Sequence, residues 1–146
     1  MYSFDENELI VKTKENVCFD LKMRGSICII NGGSGSGKTF LCEYIQDAKN
    51  SLNMDFGERF SNVFILNVQN KNQIIELKNN LIIIDRADLV MTKDLADFIN
   101  RDKKNKYLVM ARGVTGIDVS PNYYATLQKE GNCFKLNYAF SEKGWF

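Results

Sequence analysis

The sequence predicts a three-layer α/β fold in one domain over residues 1–146: a mostly parallel central sheet flanked by helices, with a β-hairpin added near each end of the chain. Three observations carry this expectation. Short apolar, β-branched runs alternate with amphipathic stretches and short links, the pattern of strands feeding crossover helices. A glycine-rich stretch, Asn31 to Thr39, joins one such run to one such amphipathic stretch. Finally, Gly32, Asn67, Asp85 and Arg112 all fall at or just past the carboxyl ends of predicted strands. Open α/β sheets bind their ligands at that edge.

The elements follow in order. Leu9-Ile10-Val11 and Val17-Cys18-Phe19-Asp20-Leu21 read as a hairpin, with Lys14-Glu15-Asn16 as its turn. Arg24-Gly25 leads into Ser26-Ile27-Cys28-Ile29-Ile30-Asn31, an apolar run suited to a fully buried strand. After the glycines, Leu41, Ile45, Ala48 and Leu52 recur at helical spacing, with Glu43, Gln46, Asp47 and Lys49 on the other faces. That helix is expected to end near Leu52, before a loop around Gly57. Val63 to Leu66 is the next strand. Gln69 to Lys78 reads as a weak helix through Ile74, Ile75 and Leu77. Leu81-Ile82-Ile83-Ile84-Asp85 is the most apolar strand, and it ends in a carboxylate. Thr92 is placed to cap a helix carrying Leu95, Phe98 and Ile99, with Asp94 in its first turn. Tyr107 to Ala111 is a further buried strand, followed by Arg112-Gly113 and a loop to Pro121. Tyr123 to Gln128 and Cys133 to Phe140 form the second hairpin around Glu130-Gly131-Asn132.

From Gly32 the glycine-rich stretch reads G-x-x-x-x-G-K-T. Composition alone produces this pattern in roughly one chain in 200 of this size, so its context decides its meaning. It should follow a buried strand and open a helix, and it does both. To wrap a triphosphate, backbone N–H groups must turn inward, which side chains resist; Gly32, Gly33, Gly35 and Gly37 permit it, with Ser34 and Ser36 between them. Lys38 then supplies a point charge to the outer phosphates, and Thr39 a hydroxyl to Mg²⁺. The helix starting near Lys38 presents its positive dipole end to the same anion.

Asp85 can hold Mg²⁺, directly or through water, because a hard cation prefers oxygen ligands. The next residue is Arg86, whose guanidinium stays protonated and cannot act as a base; it suits either a phosphate contact or a surface ion pair. Asp88 is the nearest carboxylate. It can stand in as the water-orienting group or serve as an ordinary surface or capping residue. Gln69, past another strand end, could orient a metal-bound water. Arg112 suits a γ-phosphate, a partner's carboxylate, or a surface turn.

These residues carry a family resemblance. The stretch from Gly32 to Thr39 and the strand ending in Asp85 resemble the Walker A and Walker B elements of a P-loop NTPase. The run Cys18-Phe19-Asp20-Leu21, then Arg24 to Ile30, then the glycine-rich loop is similar to the amino-terminal approach of ABC-type ATPase domains. The resemblance covers residues 8–45 well and 81–112 loosely. It implies an ATP- and Mg²⁺-binding domain of the branch with an additional strand between the Walker A and Walker B strands. It also implies that Lys38 and Arg112 act on the phosphates, Arg112 occupying a sensor position. The departures are specific. There is no L-S-G-G-Q signature, no room for the helical subdomain that carries it, and Arg86 stands where many such ATPases have glutamate.

The leading reading is therefore a small cytoplasmic ATP-binding protein, an ATPase or ATP-dependent switch with slow intrinsic hydrolysis, acting with a protein partner or as a homodimer. The alternatives are a small-molecule kinase of the same class and a non-hydrolysing, nucleotide-dependent interaction module. A GTPase ranks lower, because Asn70-Lys71-Asn72-Gln73 lacks the aspartate of a guanine-reading motif. Composition sets the boundaries. Net charge is +1, so charge gives no reason to expect a nucleic-acid partner; the basic run Arg101, Lys103, Lys104, Lys106 suits a helix carboxyl end. No apolar run is long enough to span a membrane, and the acidic amino terminus lacks the pattern of a signal peptide. With no histidine, Ser-His and Cys-His nucleophile chemistry is excluded. Cys18, Cys28, Cys42 and Cys133 show no metal-site spacing and are expected as reduced core thiols.

Overall fold

The computed structural model describes residues 1–31, 37–51, 58–111, 115–119 and 123–138. Strands β1 (Tyr2–Ser3), β2 (Glu8–Lys12), β3 (Cys18–Lys22) and β4 (Ile27–Asn31) lead to helix α1 (Lys38–Lys49). Then come β5 (Val63–Leu66), a 3-10 helix over Lys71–Glu76, β6 (Leu81–Ile84), the single turn α2 (Ala87–Val90) and α3 (Lys93–Arg101). Strands β7 (Lys106–Ala111), β8 (Tyr124–Glu130) and β9 (Cys133–Tyr138) complete the described chain. All of the strands join one nine-stranded sheet in the order β1-β2-β3-β9-β8-β4-β7-β6-β5.

Local chemistry explains the elements. Leu9 and Val11 of β2 point into the core while Ile10 and Lys12 are exposed, the period of a half-buried strand. Its turn to β3 closes with the Thr13 N–H donating to the Val17 carbonyl at 2.9 Å. Asn16 takes the left-handed conformation there (φ +63°), which asparagine tolerates better than most residues. β6 is buried at all four positions and β7 at its last five, so both sit between packed layers. Thr92 caps α3 by accepting from the Leu95 N–H at 3.2 Å. Asn7, buried and left-handed (φ +54°), accepts from the Tyr2 hydroxyl and donates to the carbonyls of Met23 and Gly25 at 3.2 and 2.7 Å. That knot fixes the approach to β4.

The arrangement corrects the expected fold class. The sheet is mixed, and it curls until it nearly closes like a barrel, instead of forming the middle of a three-layer, mostly parallel α/β sandwich. β1–β2, β2–β3 and β8–β9 pair antiparallel. The two hairpins are not additions to a finished sheet. β3 pairs in parallel with β9 and knits them together, bringing Phe19 opposite Phe134. Near closure shows where the Asn62 amide, just before edge strand β5, donates to the Tyr2 carbonyl of edge strand β1 at 2.8 Å; the Lys106 ammonium, at the start of β7, also reaches the Phe4 carbonyl. The expected helix between β5 and β6 is only a six-residue 3-10 helix, in which Ile74 alone is buried. One buried side chain is too little apolar surface to hold a covering helix.

Two cores result. Within the curl, Leu41, Cys42, Ile45 and Ala48 of α1 meet Leu9, Phe19, Leu21, Ile30, Ile83 and Met110. On the other face, α2 and α3 cover Ile29, Ile82, Ile84 and Val109 through Ala87, Val90, Leu95 and Ile99. The expectation of four reduced thiols also changes. Cys18 and Cys133, paired in register across β3 and β9, form a disulfide, while Cys28 and Cys42 are free and buried. Among the described residues no helix is long and apolar enough to cross a membrane.

Candidate functional site

Strands β8, β4, β7, β6 and β5 run parallel, so their carboxyl ends share one edge. The register places Asn31 of β4 beside Ala111 of β7, and Ile84 of β6 beside Val109. β7 therefore lies between β4 and β6. Two strand spacings put Asp85 about 10 Å across the edge from Asn31. Gly32, Gly33, Ser34, Gly35 and Ser36 lie outside the described residues, as does Arg112, which follows the end of β7 in the chain.

The loop re-enters the described chain at Gly37, left-handed at φ +95° and directly before α1. A Cβ at Gly37 would be strained by that φ and would sit 3.4 Å from the Phe134 ring. The first helical bond runs from the Leu41 N–H to the Gly37 carbonyl at 3.0 Å. The N–H groups of Lys38, Thr39 and Phe40 precede it and point out of the helix end. No acidic residue stands in that first turn, so the helix carries no carboxylate of its own to neutralise the positive end of the dipole. Lys38 is half-buried, and Thr39 is exposed. Four buried residues lock α1 into the inner core, so this end is rigidly placed.

Asp85 follows β6 directly and is half-buried. Burial, then the charge of Asp85, then that of Glu43 push the Cys42 thiol upward. Cys42 is on α1, so the Asp85 carboxylate is felt by the same helix that carries Lys38 and Thr39. Among the described residues no three His, Cys, Asp or Glu side chains converge as a metal cage. Mg²⁺ does not need one, since it takes most of its ligands from water and phosphate oxygens and only one or two from protein. A threonine hydroxyl and one carboxylate are a fitting donor set.

The remaining sequence candidates are spread out. Arg86 is exposed and left-handed at φ +55°, and it heads α2. A residue with a Cβ pays for that conformation, whereas glycine does not. Arg86→Gly should raise stability by about 0.5–1 kcal/mol in urea denaturation. A lower midpoint would instead show that the guanidinium makes a stabilising contact. Asp88 is exposed on α2 and lines a cavity of about 410 Å³ with Thr92, Lys93, Asp97 and Thr115. That cavity belongs to the α2–α3 side, whereas α1 packs in the inner core. Asn67 is occupied in its own turn, accepting from the N–H groups of Gln69 and Asn70 at 2.9 Å each; Gln69 is exposed beside it.

A cavity of about 620 Å³ opens elsewhere, where β3 and β9 diverge. It is lined by Glu8, Asp20, Lys22, Arg24, Lys135 and Tyr138 among others. It sits by Gly25, before β4 begins, and so at the opposite end of that strand from the glycine-rich loop. Glu8 is raised there, first by its hydrogen bond with Asp20. The mixture of acids and bases favours no single ligand charge.

Sequence reasoning passed over Phe40. It is 44% exposed in the first turn of α1, between Phe19 at 6.1 Å and Tyr44 at 6.5 Å, with ring planes within 21° and 16°. An aromatic directly after G-K-T was the available signal. No family model matches the chain, and no curated protein matches it as a relative.

Proposed function

We propose that the chain binds a nucleoside triphosphate, ATP first, together with Mg²⁺, and works as an ATPase or ATP-dependent switch with slow intrinsic hydrolysis. One observation carries the reading: G-x-x-x-x-G-K-T begins directly after β4 and ends in the first turn of α1. A strand, a glycine-rich turn and a helix amino terminus are the three parts that a phosphate cradle requires. The position of Asp85 at the same edge supports it, as does β7 lying between β4 and β6. In this reading Gly32 to Gly37 wrap the phosphates, Lys38 neutralises them, and Thr39 and Asp85 hold the cation. Mg²⁺ would supply charge neutralisation of the outer phosphates.

The second reading is a module that holds nucleotide without turning it over, and Arg86 directly after Asp85 favours it. One experiment separates the two: titration with ATP, ADP and GTP, with and without Mg²⁺, followed by phosphate release. Tight binding without release supports the module, and transfer to an added acceptor would support a kinase. Absence of triphosphate binding removes all of them.

Asp85→Asn tests the metal assignment. The amide keeps the shape and removes the charge that the cation needs. ATP affinity should fall several-fold more in Mg²⁺ than in EDTA, by roughly 1–2 kcal/mol of difference. Equal losses in both conditions would make Asp85 a structural residue.

A further inference from the structure

We infer that the exposed ring of Phe40 is the platform on which the base of the bound nucleotide stacks. The inference rests on the nucleotide-binding reading and deepens it. Nothing in the sequence motif reads a base, since glycines, Lys38 and Thr39 address only phosphates and metal.

The geometry favours this ring. Phe40 stands in the first turn of α1, two residues past Lys38, at the helix end to which the phosphates are assigned. Its ring is held by neighbours instead of swinging free. Tyr44, Phe40, Phe19 and Phe134 form a row of nearly parallel rings, with interplanar angles of 16°, 21° and 16° between successive members. The row reaches Gly37 at its Phe134 end. Phe19 and Phe134 are close, at 4.9 Å between centroids, and Phe19 is fully buried. Phe40 differs: its neighbours are 6.1 and 6.5 Å away. At these separations the rings are offset from one another, and Phe40 remains 44% exposed. That leaves an oriented, part-exposed aromatic ring beside the proposed triphosphate site. A nucleobase is the planar group that a nucleotide anchored at Lys38 brings there, and stacking on an aromatic face needs no particular hydrogen-bonding partner.

The test compares ATP with inorganic tripolyphosphate by calorimetry in Mg²⁺, for the wild type, Phe40→Ala and Phe40→Tyr. Tripolyphosphate has the anion without the base. Phe40→Ala should weaken ATP about 5- to 150-fold and leave tripolyphosphate within about two-fold, and Phe40→Tyr, which keeps the ring, should hold ATP within about three-fold. If Phe40→Ala does not fold, the tyrosine variant together with Phe40→Leu carries the same comparison. Unchanged ATP affinity without the ring overturns the proposal, as does an equal loss for both ligands. A change in oligomeric state with ATP affinity intact also overturns it, by making the ring a protein contact. A wild type that binds tripolyphosphate and ATP equally overturns this proposal alone. One that binds neither overturns the nucleotide reading beneath it.

Discussion

Lys38→Ala should weaken triphosphate binding about 10- to 100-fold, about 1.5–3 kcal/mol, in a protein that stays folded. The magnitude is that of one charge-assisted hydrogen bond removed from a site that keeps its backbone donors. Folding should survive because Lys38 is half-buried and belongs to neither core cluster, whereas Leu41, Cys42 and Ile45 hold α1 in place. Alanine also suits the first turn of a helix. Calorimetry gives the affinity, and a urea midpoint within about 0.5 kcal/mol of the wild type shows that the fold persists. Unchanged affinity in the folded variant would remove the phosphate-site assignment, and with it the roles given to Thr39 and Asp85. An unfolded variant would show that Lys38 is structural.

The parts of the fold legible in the sequence are those set by local chemistry. β4, β6 and β7 announce themselves as apolar, β-branched runs because they are buried on both faces. Thr92 announces α3 because a cap is a contact over three residues. Both hairpins were legible from alternation and from turn residues such as Asn16 and Gly131, which take positive φ. What was not legible depends on register between distant segments. The pairing of β3 with β9 joins residues separated by 115 positions, and no local pattern encodes it. The disulfide follows from that register, and so does the curl that replaces the expected three-layer, mostly parallel arrangement. α2 is one turn long, too short for periodicity to show. At the candidate site, Lys38, Thr39 and Asp85 could be proposed from the sequence because phosphate and metal chemistry restricts residue type; their roles rest on the experiments above. Phe40 was not, because its value comes from Phe19 and Tyr44 holding it, and the packing against Phe19 spans from β3 to α1.

Turnover of ATP by the isolated chain should be slow, below about 0.1 s⁻¹ against an enzyme median near 10 s⁻¹. Phosphoryl transfer to water requires a group that orients the water, in addition to charge on the phosphates. Arg86 follows Asp85 and cannot accept a proton. Its left-handed backbone turns the chain at once into α2, whose buried residues Ala87 and Val90 pack in the outer core. Asp88 is carried along to that side, facing the cavity it shares with Thr92 and Lys93 at the start of α3. We expect a carboxylate on that side not to reach a water beside Lys38, because α1 packs in the other core cluster. Asp88→Ala should therefore leave both ATP affinity and the slow rate within about two-fold, the proposed source of the missing group being a protein partner. Phosphate release from the purified wild type and variant, with and without cell extract, reads out each part. Acceleration by extract, undiminished in Asp88→Ala, is the expected result. Loss of the residual rate in Asp88→Ala at unchanged ATP affinity would make Asp88 the orienting residue after all. Fast turnover by the purified chain that survives the substitution would refute both routes and make the protein an efficient enzyme.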